Sequence, residues 1–105
     1  MPTAPVIPDI HRAVYEAASQ PGCLDMSHWH WHCGTTHCRA GWVVTLAGEA
    51  GKALEEATST PFAAMQIYRA SDPTWAMSDF FANNEEALAD MRRLAEQGKA
   101  NQVSP

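Results

Sequence analysis

The chain is short of basic residues: seven Lys and Arg stand against twelve Asp and Glu, a net charge of −5. The one adjacent basic pair, Arg92-Arg93, lies among acidic neighbours. Binding to phosphates releases counterions through a basic patch, so nucleic acid is not an expected partner. A basic protein surface is still compatible with this balance, as is a second copy of the chain. Long apolar runs are lacking too. None approaches the ~20 residues of a membrane-spanning helix, and Met1 to Pro8 has neither the basic nor the apolar region of a signal peptide. A soluble cytoplasmic protein is the resulting expectation. The cysteines number three, an odd count that does not make a secreted disulfide framework. Cys33 and Cys38 therefore read as thiols or ligands. A glycine-rich phosphate loop and the C-x-x-C-H of haem attachment are both missing.

What remains is an ordinary globular composition, 46% apolar and 18% charged over 105 residues. That is one domain with a small core, since a chain of this size buries only a little over ~60% of its unfolded surface. Residues 1–8, with three prolines, predict an extended arm. Residues 9–98 predict a single helical domain and residues 99–105 a flexible tail. Asp9 is a good cap for a helix to about Ser19, with Ile10, Val14, Ala17 and Ala18 on its apolar stripe. His11 falls off that stripe and reads as a solvated residue. A second helix follows Thr35 or Thr36, either an acceptable cap, over about residues 37–48. From Ala40 to Ala47 it is apolar around nearly its whole circumference, the pattern of a buried central helix. Gly41 there reads as a place where a neighbour comes close.

Gly48 and Gly51 bracket a break before a short helix over Lys52 to Ala57. Thr60-Pro61 starts another over Phe62 to Ala70, ended by Asp72-Pro73. Trp75, Phe80 and Phe81 are available as lids. Asn83 with Glu86 caps a last helix, carrying Ala87, Leu88, Met91, Leu94 and Ala95 on one face and stopped by Gly98. The fold class expected is all-α: four to five helices packed around the central one, with a Cys/His/Trp-rich loop before it. Glu55-Glu56 and Glu85-Glu86 read as solvated faces; Met65, Met91 and Tyr68 read as core.

The stretch from His28 to Trp42 holds four of the five histidines, two of the three cysteines and three of the four tryptophans. Metal binding is the leading reading. In an extended segment His28, His30 and His32 project on one side about 6.6 Å apart, and Cys33, His37 and Cys38 can complete a shell. Zinc is the ion that suits these donors. No second, distant Cys or His pair closes a zinc-ribbon pattern. A second reading makes Cys38 a nucleophile in the first turn of the central helix, where the dipole favours a thiolate, with His37 or His30 as its base or ion-pair partner. A third is metal-free: Cys38 is a small buried hydrophobe, and Trp29 and Trp31 form a hot spot for a protein partner.

The segment Cys33-Gly34-Thr35-Thr36-His37-Cys38-Arg39-Ala40-Gly41-Trp42-Val43-Val44-Thr45-Leu46-Ala47-Gly48 resembles a block found in small uncharacterised bacterial and bacteriophage proteins. Trp29-His30 precedes it, and Ile67-Tyr68-Arg69-Ala70-Ser71 and Glu85-Glu86-Ala87-Leu88-Ala89-Asp90 follow, as in that block; the extra Trp31-His32 is a departure. The resemblance spans about residues 24 to 97. It implies a standalone or appended helical module and brings no activity with it.

Overall fold

Five helices succeed one another in a computed structural model that describes residues 3–27, 30, 36–75 and 82–103, with 98–103 as backbone only. They are α1 (Ile10–Ala18), α2 (Arg39–Leu46), α3 (Gly48–Ala57), α4 (Thr60–Ser71) and α5 (Asn84–Val103). Helix α2 touches α1, α3 and α4, while α1 also lies against α5. The all-α architecture around a central helix is therefore as the apolar pattern predicts. Among the described residues no helix is long and apolar enough to cross a membrane.

The core forms where the stripes meet. Ile10, Val14 and Ala18 face inward from α1 at helical spacing, against Ala40, Val43 and Val44 of α2, Leu54 of α3, Ile67 and Tyr68 of α4, and Ala87 and Met91 of α5. Each large side chain so buried contributes about 1.5–3 kcal/mol. Trp75 closes the core from above, stacked on Tyr68 at 4.6 Å with the rings 9° apart. Phe80 and Phe81 lie outside the described residues. The N-terminal arm is tied down at its end: Ile7 is buried, and its N–H donates to Ser71 Oγ at 2.9 Å.

Several boundaries differ from expectation, each for a local reason. Asp9 occupies the cap of α1 but in a left-handed conformation (φ 52°) without a side-chain cap bond; its Oδ2 instead meets Arg12 Nε at 3.2 Å. His11 is not solvated. Its side chain is 11% exposed and bonds Asp72 Oδ2 through Nε2 at 2.8 Å, with its ring stacked on Tyr68 at 5.7 Å. Helix α2 begins at Arg39, not 37, because His37 is held extended: its N–H donates to Cys23 O, and Asp25 N–H donates to its carbonyl. The cap is Cys38, whose Sγ accepts from Gly41 N–H at 3.3 Å. Thr36 donates to Gly22 O instead, and Thr35 lies outside the described residues.

The break between α2 and α3 is at Ala47 and Gly48 alone. Gly48 takes a φ of +68°, which only glycine adopts readily. Gly51 is inside α3, where a Cβ would stand 2.5 Å from Val44 O and 2.6 Å from Ala47 Cβ. Helix α2 therefore approaches α3 closely at Gly51. Ser59, not Thr60, caps α4, its Oγ accepting from Phe62 N–H. Asn83 caps α5 by accepting from Glu86 N–H at 2.8 Å. Gly98 does not stop that helix, which continues to Val103. A helical glycine costs only about 1 kcal/mol, too little to end a helix by itself.

Candidate functional site

Two short backbone bridges organise the segment before α2: Leu24 pairs with His37 in parallel, and His30 with His37 in antiparallel fashion. His37 is thereby clamped on both sides. Trp42, one turn into α2, donates its indole N–H to Cys23 O at 2.7 Å. The His37 ring packs edge-on against Trp42 and against His30, with centroids 4.8 Å apart in each case. Trp42 thus forms one wall beside the His37 imidazole.

A line of hydrogen bonds leaves this cluster. His30 Nδ1 meets His37 Nδ1 at 2.7 Å, and His30 Nε2 meets Glu55 Oε2 on α3 at 2.7 Å. Thr60 Oγ1, at the start of α4, donates to the same Glu55 oxygen at 2.7 Å. A carboxylate only accepts, so Nε2 of His30 carries a proton. Nδ1 of one histidine must donate and that of the other must accept. The chain His37–His30–Glu55–Thr60 thus ties the loop, α3 and α4 together.

Glu55 and His30 open on a cleft of about 500 Å³, lined also by Val44, Thr45, Gly48, Glu49 and Lys52. Gly48, Lys52 and Glu55 follow one another at helical spacing along one face of α3. Gly48 offers no side chain, and space lies open where one would be. The cleft falls within the ~300–1,000 Å³ range of small-molecule sites.

The metal reading is overturned. Among the described residues no group of three or more His, Cys, Asp or Glu side chains could hold a metal ion. His30 and His37 direct their Nδ1 atoms at each other, so those nitrogens cannot both turn to an ion. Cys38 turns its sulfur back onto the first turn of its own helix. His28, His32 and Cys33 lie outside the described residues, as do Trp29 and Trp31. The three described members of the six-residue set, His30, His37 and Cys38, form no such group.

Cys38 is equally unsuited to nucleophilic attack. It is 0% exposed, and burial pushes its thiol up from the ordinary range, outweighing the lowering effect of the bond from Gly41 N–H. The thiol form is favoured, and reagents have no path to it. His37 is buried beside it but is engaged with His30.

A second polar cluster lies within the core. Arg39 is 1% exposed; its Nε donates to Tyr68 Oη at 3.0 Å and its Nη1 to Asp90 Oδ2 at 2.6 Å. Arg93 holds the other oxygen of Asp90. Burial alone would raise the Asp90 carboxyl, but bonds from Arg93 and Arg39 outweigh it and hold it below the ordinary carboxylate range. Burial raises the Tyr68 hydroxyl, against the opposing effect of Arg39. These groups stitch α2, α4 and α5 together.

Glu55, Thr60, Glu49 and Lys52 were not singled out by residue type. Glu55 in particular is 18% exposed and doubly bonded, not a solvated face. The heptad-like spacing of Gly48, Lys52 and Glu55 is the one local sign that they share a face. No protein-family model matches the chain, and no curated protein or solved structure matches it either.

Proposed function

We propose that the protein is a small-molecule-binding helical domain, its ligand seated in the α2–α3 cleft against the His30–Glu55 pair. One observation carries this reading. The hydrogen-bonded chain from His37 to Thr60 fixes a carboxylate and an imidazole at the wall of a cleft of about 500 Å³. Polar groups held this way by three separate elements are preorganised, the condition under which a few hydrogen bonds orient a ligand. Helix α3 supplies most of the lining, and the side-chain-free Gly48 widens it.

A reducing, cytoplasmic setting suits Cys23 and Cys38, which are both free thiols. The acidic balance favours a ligand other than nucleic acid, and Arg92 and Arg93 are engaged by Glu96 and Asp90 on their own helix.

The test is a nuclear magnetic resonance titration of ¹⁵N-labelled protein with a set of small aromatic and alkyl amines, alcohols and acids. Saturable shifts at the amides of Val44, Thr45, Gly48, Lys52 and Glu55 are expected. Thr45→Trp, which fills the cleft from an exposed position, should abolish them. If no member of the set gives a saturable shift at these amides, the reading is wrong.

A further inference from the structure

We infer that the cleft selects a compact cation, a primary amine in the first instance, carried on an apolar body. This rests on the reading of the cleft as a small-molecule site and names the ligand that such a site would take.

The two carboxylate oxygens of Glu55 are engaged unequally. His30 Nε2 and Thr60 Oγ1 approach the same oxygen, Oε2, each at 2.7 Å. These donors come from different elements, the loop before α2 and the start of α4, so the carboxylate is held from two sides. Neither bond uses Oε1. A carboxylate oxygen accepts hydrogen bonds and cannot donate, so a ligand group that meets it must bring a proton. An ammonium brings both a proton and a positive charge, and charge-assisted hydrogen bonds are about twice as strong as neutral ones.

The surrounding charge points the same way. The cleft carries two carboxylates, Glu49 and Glu55, and one ammonium, Lys52. Glu49 and Glu55 each stand three positions from Lys52 on α3, so carboxylates outnumber the lysine along this stretch of the helix. An anionic ligand would confront Glu55 acceptor to acceptor, with Glu49 adding a second repulsion. His30 cannot relieve that conflict, because its Nε2 proton is committed to Glu55 and its Nδ1 to His37. The whole chain, at −5, also draws cations toward it and repels anions. Val44, at the base of the cleft, and the stems of Thr45 and Lys52 give an apolar body something to lie on. The volume of about 500 Å³ admits a ring with a short side chain.

Three probes that share one apolar body separate the possibilities: 2-phenylethylamine, 2-phenylethanol and phenylacetate, titrated by calorimetry or by amide shifts. The amine should bind about tenfold or more tightly than the alcohol, with phenylacetate weakest. Glu55→Gln should erase that preference while changing alcohol binding by no more than about twofold. Glu55→Asp, which keeps the charge, should retain part of the preference; this guards against reading a folding defect as a charge effect. Thr45→Trp should abolish binding of all three. Equal binding of amine and alcohol, tightest binding of phenylacetate, or an amine preference that survives Glu55→Gln would each overturn the cation assignment and leave the cleft standing. Loss of all saturable binding to the unmutated protein would remove the cleft itself, and the inference with it.

Discussion

His30 and His37 meet through the same ring atom, Nδ1 to Nδ1, at 2.7 Å. One proton lies between them, and both rings cannot become imidazolium without breaking the bond. With His30 Nε2 donating to Glu55, the pair has two arrangements: a neutral His30 accepting from His37, or a charged His30 donating to it. Long-range ¹⁵N–¹H spectra of the imidazoles should therefore show one protonated and one unprotonated Nδ1, with His30 Nε2 protonated. Two Nδ1 atoms both unprotonated would contradict the contact. His30→Ala should lower stability by about 1 kcal/mol, the net value of the bonds lost.

The Arg39–Asp90 pair predicts acid sensitivity. Asp90 titrates lower in the folded chain than in the unfolded one, and so does Asp72, chiefly through the bond from Thr74 and then His11. Between the folded and unfolded values the unfolded state binds more protons, so stability rises with pH there. The contribution is complete above the ordinary carboxylate value of about 4 and is lost as pH falls through the lower folded values. Urea titrations from pH 7 down to 2 should show this slope, and Asp90→Asn should reduce it. At pH 7 the same variant should cost about 3–5 kcal/mol, because a buried guanidinium loses its counter-ion. A loss below about 0.5 kcal/mol would show that Arg39 is not held as described.

Cys38 should resist alkylation in the native state. Iodoacetamide at neutral pH, followed by peptide mass analysis, should modify Cys23 long before Cys38, which should react only as the protein unfolds. Fast labelling of Cys38 would show that the first turn of α2 opens to solvent. Cys38→Ala should cost about 1 kcal/mol through loss of the cap alone, with any cavity adding to it.

Two glycines of α3 should fail differently when replaced by alanine. At Gly51 the new methyl collides with Val44 O and Ala47 Cβ at 2.5 and 2.6 Å. The loss, about 1–3 kcal/mol from overpacking, should exceed the ~1 kcal/mol that alanine gains in helix propensity. At Gly48 there is open space but a φ of +68°, so about 1–2 kcal/mol of backbone strain is expected. Thermal melts of both variants check this; a stabilised Gly51→Ala would mean that α2 and α3 lie further apart.

The helical architecture was legible because its signals are local. Apolar residues at helical spacing mark α1 and α5, and the all-round apolar run of Ala40 to Ala47 marks the central helix. Cap identities were harder to read, since Ser59, Thr60, Thr36 and Cys38 all stand near helix starts. Tertiary bonds decide among them: the clamp on His37 moves the start of α2 to Arg39. The unusual composition around His30 and His37 did mark residues that come together. Their chemistry was misread, because donors counted along a chain say nothing about whether their lone pairs converge. Glu55 was missed for a related reason. It is 25 residues from His30, and no periodicity links a loop histidine to a glutamate on a later helix. His11 and Asp72, 61 residues apart, make the same point.

The contacts of Arg39 bear on the order in which the chain folds. Helices α2, α3 and α4 are consecutive and touch one another, so they close only short loops. Helix α5 reaches that group through Asp90, 51 residues from Arg39, and closing so long a loop carries a larger entropic penalty. Contacts near in sequence form early and distant ones late. Leu54→Ala and Ile67→Ala should therefore slow folding, with φ-values near about 0.5–0.8, whereas Met91→Ala should mainly speed unfolding, with values near about 0–0.3. Stopped-flow kinetics on these three variants would reveal a folding nucleus made of the middle of the chain, onto which the last helix closes late, with Met91 entering the core and Asp90 meeting the buried Arg39.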